Sequence, residues 1–255
     1  MSTMIPRGEI ARRLFDSVCH RAENAVIEEV RIGLGYVGVR LDKGRMGLAA
    51  VLLHDLPASS SVFPDAGKLA GSKALSLLGN LIKGQNPLSK ALGLAAANAV
   101  LHAALGEDER DSLAIMKLVP EDHVAMVGLF TPMVPKIEGT GAKLTVIERN
   151  PARLAVLDKK DGDRILKECT VAIITATALL NDTLEEVLNG LGSPRHVAIL
   201  GPSTPLCPEI FHDTPVNHLG GARVRDTKKV MQIISEGGGT PSMRPYLRFV
   251  NLLIK

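Results

Sequence analysis

The sequence has no tryptophan, two tyrosines and three cysteines, and each scarcity excludes a class of protein. Scarce aromatic residues disfavour the stacking platforms that bind single-stranded nucleic acid. Cys19, Cys169 and Cys207 lie far apart and form no CxxC pair, so they describe neither a disulfide framework nor a zinc knuckle. We therefore expect a reducing, cytoplasmic setting and a core built from Leu, Ile, Val and Ala.

Strong charge and long apolar runs are also absent. The net charge is +3 and the basic residues are scattered, so we expect no nucleic-acid partner. The first ten residues carry Arg7 and Glu9 and show no signal peptide. The longest apolar stretch, residues 91–105, is interrupted by a glycine and two polar residues, which predicts no membrane insertion.

Four near-continuous apolar runs lie in the second half of the chain, separated by helix-length segments. They are His123–Phe130, Lys143–Glu148, Thr170–Thr175 and His196–Leu200. Such runs are typical of parallel strands buried on both faces. Ligands of parallel sheets bind at the carboxyl ends of the strands, so the pattern locates a site before it identifies a ligand.

The first half of the chain predicts a different architecture. Tight turns at Gly35 and 42–44 join three short strand candidates, which indicates an antiparallel meander. The predicted strands are Val26–Leu34, Tyr36–Leu41 and Met46–His54, and the predicted helices are Gly8–Glu23, Lys68–Leu78, Leu88–Leu105 and Asp108–Met116.

The change of pattern near Pro120 predicts two domains, residues 1–119 and 120–255. The first is an α+β domain with a three-stranded meander and helices, and the second is an α/β domain with a mostly parallel sheet. The helices predicted for the second domain are Pro132–Gly139, Pro151–Leu157, Asp182–Leu191 and Asp226–Ser235.

The second domain lacks the glycine-rich fingerprint of dinucleotide-binding sheets. Its first strand is followed by 128-GLFTPMV-134, which has one glycine, and Pro132 removes a backbone donor that a pyrophosphate would use. We expect no tight binding of NAD, FAD or ATP. The string Gly33–Gly38 matches G-x-G-x-x-G but lies between hairpin strands, so it is interpreted as a turn.

Glu148 ends the second parallel strand, twenty positions after Gly128. An acidic residue at this spacing binds ribose hydroxyls in dinucleotide-binding sheets. The alternative is a solvated carboxylate paired with Arg149. The first interpretation leaves room for a weakly bound adenosyl cofactor.

Hydroxyl and amide side chains cluster after the other predicted strands, where helix N-termini favour anions or polar small molecules. Ordinary helix capping is the alternative interpretation. The expected ligand contacts, roofed by the first domain, are Thr131, Pro132, Glu148, Asn150, Thr175, Thr177, Asn181, Gly201, Pro202, Ser203 and Thr204, together with Asn98 from the first domain.

Two other groups of residues leave their roles open. Asn98 and His102 lie one turn apart in an apolar helix, facing either a neighbouring backbone or an interdomain cleft. Cys207 precedes His212 and His218 at a spacing that matches no metal motif, so packing is favoured over metal ligation for Cys207.

Several stretches resemble the DUF364 family, described as a "putative heavy-metal chelation" domain. They are LFTPMVPKIEGTGAKLTVIERNP, TVAIITATALLNDTLEEVL, VAILGPSTPLCPEIF and HLGGARV. The N-terminal stretches RIGLGYVGVRL and LGLAAANAVLH resemble the DUF4213 segment that precedes it. The resemblance implies an enolase N-terminal-like first domain, a Rossmann-like second domain and a site between them.

The resemblance also implies a role in handling a heavy-metal ion or a metal chelate. One class of function is a protein that binds a small metal-chelating ligand. The alternative is an enzyme that acts on a small polar substrate or metallophore precursor. A degenerate methyltransferase-like nucleotide binder is a third interpretation. The identity of the ligand and metal, and whether the chain forms a homo-oligomer, are left open.

Overall fold

A computed structural model describes residues 4–58, 62–101, 106–154 and 157–254. Within these ranges the chain is a mixed α/β protein with a three-stranded antiparallel sheet and a six-stranded, mostly parallel sheet. The strands are β1 Ile27–Ile32, β2 Tyr36–Leu41, β3 Met46–Ala50, β4 His123–Val127, β5 Lys143–Ile147, β6 Val171–Thr175, β7 His196–Leu200, β8 His218–Val224 and β9 Leu247–Leu253.

Helices cover the sheets and vary widely in length. They are α1 Glu9–Glu23, α2 Ala74–Leu78, α3 Asn80–Lys83, α4 Pro87–Val100, α5 Ser112–Met116, α6 Val134–Glu138, α7 Lys159–Glu168, α8 Leu184–Gly190, α9 Thr227–Ser235 and α10 Thr240–Met243. None of the helices in the described ranges is long and apolar enough to cross a membrane.

The first sheet has the order β1-β2-β3 and packs against α4. Helix α4 begins at Pro87, and the Asn86 side chain caps it by accepting from the amide of Ser89 at 2.9 Å. A side chain at Gly47 would place its Cβ 2.1 Å from the Ala95 carbonyl oxygen of this helix. Glycine at this position therefore allows β3 and α4 to approach backbone to backbone.

The second sheet has the order β5-β4-β6-β7-β8-β9, with β4 to β8 parallel and β9 antiparallel to β8. The chain runs from β4 outward to β5 and returns to β6 on the other side of β4. This reversal creates a crevice at the carboxyl ends of β4 and β6, where open α/β sheets bind ligands. The predicted parallel strands are confirmed, as is the predicted meander.

Several predicted helices are wrong in their bounds. The predicted helix Lys68–Leu78 starts only at Ala74, because the amide of Gly71 donates to Ile27 and the carbonyl of Ser72 accepts from Ile27. Residues 151–154 form turns instead of the predicted helix Pro151–Leu157, whose residues 155–156 lie outside the described ranges. The helix of this connection is α7, which begins after the cap residue Asp158.

The remaining differences concern where elements end and which strands were not predicted. The helix predicted over Leu88–Leu105 corresponds to α4, which ends at Val100. Residues 102–105, including His102, lie outside the described ranges. Strand β3 ends at Ala50 rather than His54, and a 3-10 helix follows. The sequence did not predict β8 and β9, which complete the sheet.

Buried polar links join the two sheets and their helices. Glu185 on α8 is 2% exposed, and its carboxylate accepts from the amide of Ile10 at 3.0 Å. Lys90 on α4 pairs with Asp182. Met116, which precedes Pro120, packs with β4 of the second sheet, whereas α9 packs on the first sheet. The proposed domain boundary near Pro120 stays a prediction.

Two histidines form a buried chain of hydrogen bonds across β7, β8 and β9. His196 Nε2 lies 2.9 Å from His218 Nδ1, and His218 Nε2 lies 2.8 Å from Asn251 Oδ1. Asn251 Oδ1 can only accept, so neutral His218 donates to it and His196 donates to His218. Burial, reinforced by neighbouring positive charge, lowers the pKa of His196 to about 4, and burial also lowers the pKa of His218.

These lowered pKa values predict acid sensitivity. Between about pH 6.5 and pH 4 the unfolded chain binds a proton at position 196 that the folded chain does not. The free energy of unfolding is therefore highest above pH 6.5. As the pH drops, each of these histidines lowers it by about 1.4 kcal/mol per pH unit. We expect His196→Gln to lower the slope of the unfolding free energy against pH by the contribution of about one proton. Urea unfolding between pH 5 and 7 measures this slope. An unchanged slope in His196→Gln would contradict the account.

Candidate functional site

The loop after β4 uses its backbone amides within the protein. The amide of Gly128 donates to the Ile147 carbonyl at 2.9 Å, that of Leu129 to Glu148 at 3.1 Å, and that of Phe130 to Met126 Sδ at 3.4 Å. In dinucleotide-binding sheets the corresponding amides face the pyrophosphate. This loop therefore offers a phosphate none of these three donors in the conformation observed.

Glu148 is 8% exposed and accepts four hydrogen bonds. Its Oε1 accepts from the amides of Arg149 and Asn150 at 2.9 and 3.0 Å, and its Oε2 accepts from Leu129 and from Arg153 Nη1, both at 3.1 Å. Four donors fill the acceptor positions of a carboxylate. Glu148 thus joins the loops after β4 and β5, and its charged partner is Arg153 rather than Arg149.

The other predicted contacts near β5 and β6 bond mainly to one another. Thr175 and Thr177 hydroxyls lie 2.9 Å apart, and Asn150 caps the amide of Ala152 at 3.0 Å. When the side-chain amide of Asn181 is turned so that its oxygen and its nitrogen both have partners, the oxygen accepts from Arg149 Nη1 at 2.7 Å. Thr131 and Pro132 begin an exposed 3-10 helix. These side chains follow β4, β5 and β6, at the carboxyl edge of the second sheet.

A second group of predicted residues lies where the first sheet meets the exit of β7. Ser203 is 2% exposed, and its hydroxyl accepts from the amide of Ala50, at the end of β3, at 2.8 Å. Asn98 Nδ2 on α4 donates to the Leu48 carbonyl at 2.9 Å and to the Ser203 carbonyl at 3.1 Å. Gly201 and Pro202 begin this loop, with Gly201 at a φ of 117° that favours glycine.

A cavity of about 180 Å³ lies beside this junction. Residues 44–48 and α4 form one wall, and Thr204, Leu206 and the end of β8 form the other. The polar side chains that line it are Arg45, Asn98, Thr204 and Arg223, and the other lining residues are glycine or apolar. The cavity therefore combines two guanidinium groups with two neutral polar groups in an otherwise apolar wall.

Two oxygens of this wall are buried without a hydrogen-bond partner in the described part of the chain, Asn98 Oδ1 and Thr204 Oγ1. Thr204 is 3% exposed. Leaving a buried polar group unpaired costs about 1–3 kcal/mol, so such groups are rare in proteins and are frequent at functional sites. Both residues line the cavity, but each oxygen has almost no accessible surface, so a molecule in the cavity does not reach it in the conformation observed.

The two arginines differ in how fully the protein engages them. Arg223 donates to Glu107 at 3.0 Å and to the Leu101 carbonyl at 2.9 Å. Arg45 binds Asp42 through Nη2 at 2.6 Å and through Nε to its carbonyl at 3.3 Å. The hydrogen bond from Arg45 lowers the pKa of Asp42, which stays ionised and balances part of the positive charge.

The cysteine and histidines named above do not converge. Cys207 is buried 3.3 Å from Ser17 Oγ, and burial raises its pKa to about 12, so its thiol is protonated near neutral pH. His218 belongs to the chain with His196, and His212 is exposed. Over the described ranges, no group of three His, Cys, Asp or Glu side chains is arranged to hold a metal ion.

Two family models match the chain. That of DUF364, described as "Putative heavy-metal chelation", matches residues 111–253. The chain belongs to the DUF364 family. A second model, DUF4213, carries the same description and matches residues 15–101. The resemblance inferred from the sequence is thereby confirmed.

Three proteins similar to this chain have descriptions that assign them no function. A protein of Methanocaldococcus jannaschii is 25% identical over 240 residues, which cover 91% of each chain. Crystal structures of DUF364 proteins of unknown function from Pyrococcus horikoshii and Desulfitobacterium hafniense share its fold, with TM-scores of 0.83 and 0.80. They are 20% and 21% identical, and the matches cover 96% of this chain and 100% and 98% of theirs.

Asn98 and Thr204 were predicted from the sequence as ligand contacts, whereas Arg45 and Arg223 were not. Arg45 lies in the turn before β3, and charged residues are common in turns. Arg223 lies on β8, a strand that the sequence did not predict. The acidic partner Glu107, far from Arg223 in sequence, could not be paired with it from spacing.

The contacts of Glu148 predict that it contributes to stability. Glu148→Gln would place an amide donor against the amide or guanidinium donors that the carboxylate now accepts, so we expect a loss of about 1–3 kcal/mol in urea unfolding. The matched control is Glu186→Gln, because Glu186 pairs with Lys159 on the surface. That change should cost about 0–1 kcal/mol. Equal, small effects would show that Glu148 is a free carboxylate, as a ligand contact requires.

Proposed function

We propose that this DUF364 protein binds a small, anionic, metal-chelating organic ligand in the cavity between α4 and the loop after β7. The observation that carries the proposal is the lining of this cavity, in which the guanidinium groups of Arg45 and Arg223 share an otherwise apolar wall with two neutral polar side chains. The arginines in the same wall favour a ligand that carries negative charge.

The metal would reach this site as part of a chelate. Soft metals in proteins bind thiolates and imidazoles, and hard cations bind carboxylates. The polar side chains that line the cavity belong instead to arginine, asparagine and threonine. An anionic chelator suits these groups because it supplies the metal ligands itself and presents negative charge to Arg45.

The same side chains favour binding over catalysis. General acid–base catalysis commonly uses a His, Asp, Glu or Lys within reach of the reacting group. The polar groups of this wall are suited to recognition, since each donates or accepts hydrogen bonds without changing protonation near neutral pH. We therefore prefer a binding protein to an enzyme that acts on a metallophore precursor.

Three finer assignments accompany the proposal. We assign residues 1–119 to an enolase N-terminal-like domain and 120–255 to a Rossmann-like domain, supported by the meander of the first sheet and the strand reversal between β4 and β6. We assign the protein to the cytoplasm, supported by its three free cysteines. A weakly bound adenosyl cofactor has less support, because Glu148 already accepts four hydrogen bonds.

The loop after β4 predicts weak binding of nucleotides. Because its amides are bonded within the protein, isothermal titration calorimetry with NAD, FAD or ATP should give dissociation constants well above about 1 μM, the value that corresponds to −8.2 kcal/mol. Micromolar or tighter binding of any of the three would contradict this prediction.

Arg45 provides the test of the proposed site. Titration of L-malate with equimolar Ni²⁺ should show saturable binding, whereas Ni²⁺ alone should not bind stoichiometrically. Arg45→Met should weaken the binding at least tenfold. The matched control is Arg31→Met, because Arg31 pairs with Glu29 at 2.7 Å on β1, and it should leave the affinity unchanged. Stoichiometric binding of Ni²⁺ alone, with no response to malate, would refute the proposal.

A further inference from the structure

The outer edge of the first sheet is a strand whose charges are complementary to its own sequence. We infer that this edge is an interface with a second copy of the chain, in which the two β1 strands pair antiparallel about a twofold axis at Val30. The first sheets of the two copies then join into one antiparallel sheet, with both α9 helices on the same face. The free edge of β1, its charges and the charges along α9 carry the inference.

Strand β1 has a free outer edge over most of its length. It lies at one end of the order β1-β2-β3, and only its start is covered, where the amide of Ile27 donates to the Ser72 carbonyl at 2.9 Å. The amide of Gly33 donates inward, to a carbonyl of β2 at 2.9 Å. Because backbone groups alternate in direction along a strand, those of Val30 and Ile32 point outward. Within the described ranges, no other segment pairs with this edge, which is therefore a template for another strand.

Antiparallel pairing about Val30 sets opposite charges face to face. Glu29 of each copy then lies directly opposite Arg31 of the other, on one face of the joined sheet. Arg31 donates through Nε to Glu29 of its own chain at 2.7 Å, yet its side chain is 51% exposed and keeps donors for a second carboxylate. On the other face, Ile32, which is 44% exposed, lies diagonally across from Val30 of the second copy. A strand of different sequence lacks this match, so the edge favours a second copy.

Helix α9 lies where pairing of the β1 strands brings it against its counterpart. It packs on β1 and β2, and Lys228, Gln232 and Glu236, the last just after the helix, line a groove with side chains of β1. These three residues recur every four positions and so share one face of the helix. Neighbouring strands lie about 4.8 Å apart, so the helices above the two β1–β2 pairs are separated by two such spacings, or about 10 Å. Helices pack at about 8–10 Å, so the groove becomes a contact between the two α9 helices.

The charges on this face of α9 fit the same twofold axis. Lys228 and Glu236 each lie four residues from Gln232, so antiparallel packing about Gln232 sets Lys228 of one copy against Glu236 of the other. The neighbouring Met231 lies near the level of the axis, because a Cβ at Gly38, one position from the partner of Val30 on β2, would be 2.9 Å from its Sδ. Within one chain, Lys228 and Glu236 are about 12 Å apart along the helix, too far to pair with each other.

Charge reversal on α9 tests the interface, with the dimer dissociation constant measured by sedimentation equilibrium. The wild-type chain should be a dimer at micromolar concentration. Lys228→Glu and Glu236→Lys should each weaken the dimer at least tenfold, or about 1.4 kcal/mol, because each sets like charges together twice in a symmetric dimer. The double variant should restore the wild-type dissociation constant to within threefold. Each change places a charge where the helix dipole favours it, so the melting temperatures of the variant monomers should not fall.

A second surface lysine provides the matched control. Lys160 is the second residue of α7, as Lys228 is of α9, and both are exposed. Lys160→Glu should leave the dissociation constant unchanged. The inference would be overturned by a monomeric wild type, by a dimer that neither reversal on α9 weakens more than the control, or by a double variant that stays as weak as the single ones.

Discussion

The cavity depends on the hydrogen bonds that hold β3 and α4 against the loop after β7. One side-chain amide, that of Asn98, donates to a carbonyl of β3 and to a carbonyl of that loop, and the hydroxyl of Ser203 accepts from the end of β3. Gly47 permits the close packing of α4 on β3 that brings Asn98 to this position. Loss of this junction would separate the two walls of the cavity and the groups that face each other across it.

The junction leaves two oxygens unpaired, and that cost is large on the scale of protein stability. Each buried, unpaired group costs about 1–3 kcal/mol, while a whole domain is stable by about 5–15 kcal/mol. An apolar residue at position 204 would avoid this cost, whereas one at position 98 would leave the carbonyls of Leu48 and Ser203 without the donor that Asn98 supplies. A molecule that binds only the folded chain would stabilise it by mass action and offset part of this cost.

How much of the structure the sequence predicts depends on how far apart in the chain the interacting residues lie. The parallel strands β4 to β7 were predictable because each is a short apolar run buried on both faces. Strand β8 contains two adjacent glycines that hide its apolar character. A Cβ at Gly220 would lie 2.6 Å from Leu200 Cδ2, so glycine at this position allows β7 and β8 to pack closely.

The candidate site likewise contains residues that the sequence predicts and contacts that it does not. Asn98 was predictable as a polar residue in an apolar helix, and Ser203 and Thr204 as residues that follow a buried strand. The role of Glu148 was not predictable, because its four donors come from two loops that only the folded chain brings together. The cavity arginines were missed because their positions depend on contacts between the two sheets.

A crystal structure of the protein grown with L-malate tests the central claim most directly. The account predicts electron density in the cavity, with a ligand carboxylate on Arg45. Density instead at the crevice between β4 and β6, near Thr131 and Thr177, with the cavity empty, would contradict it.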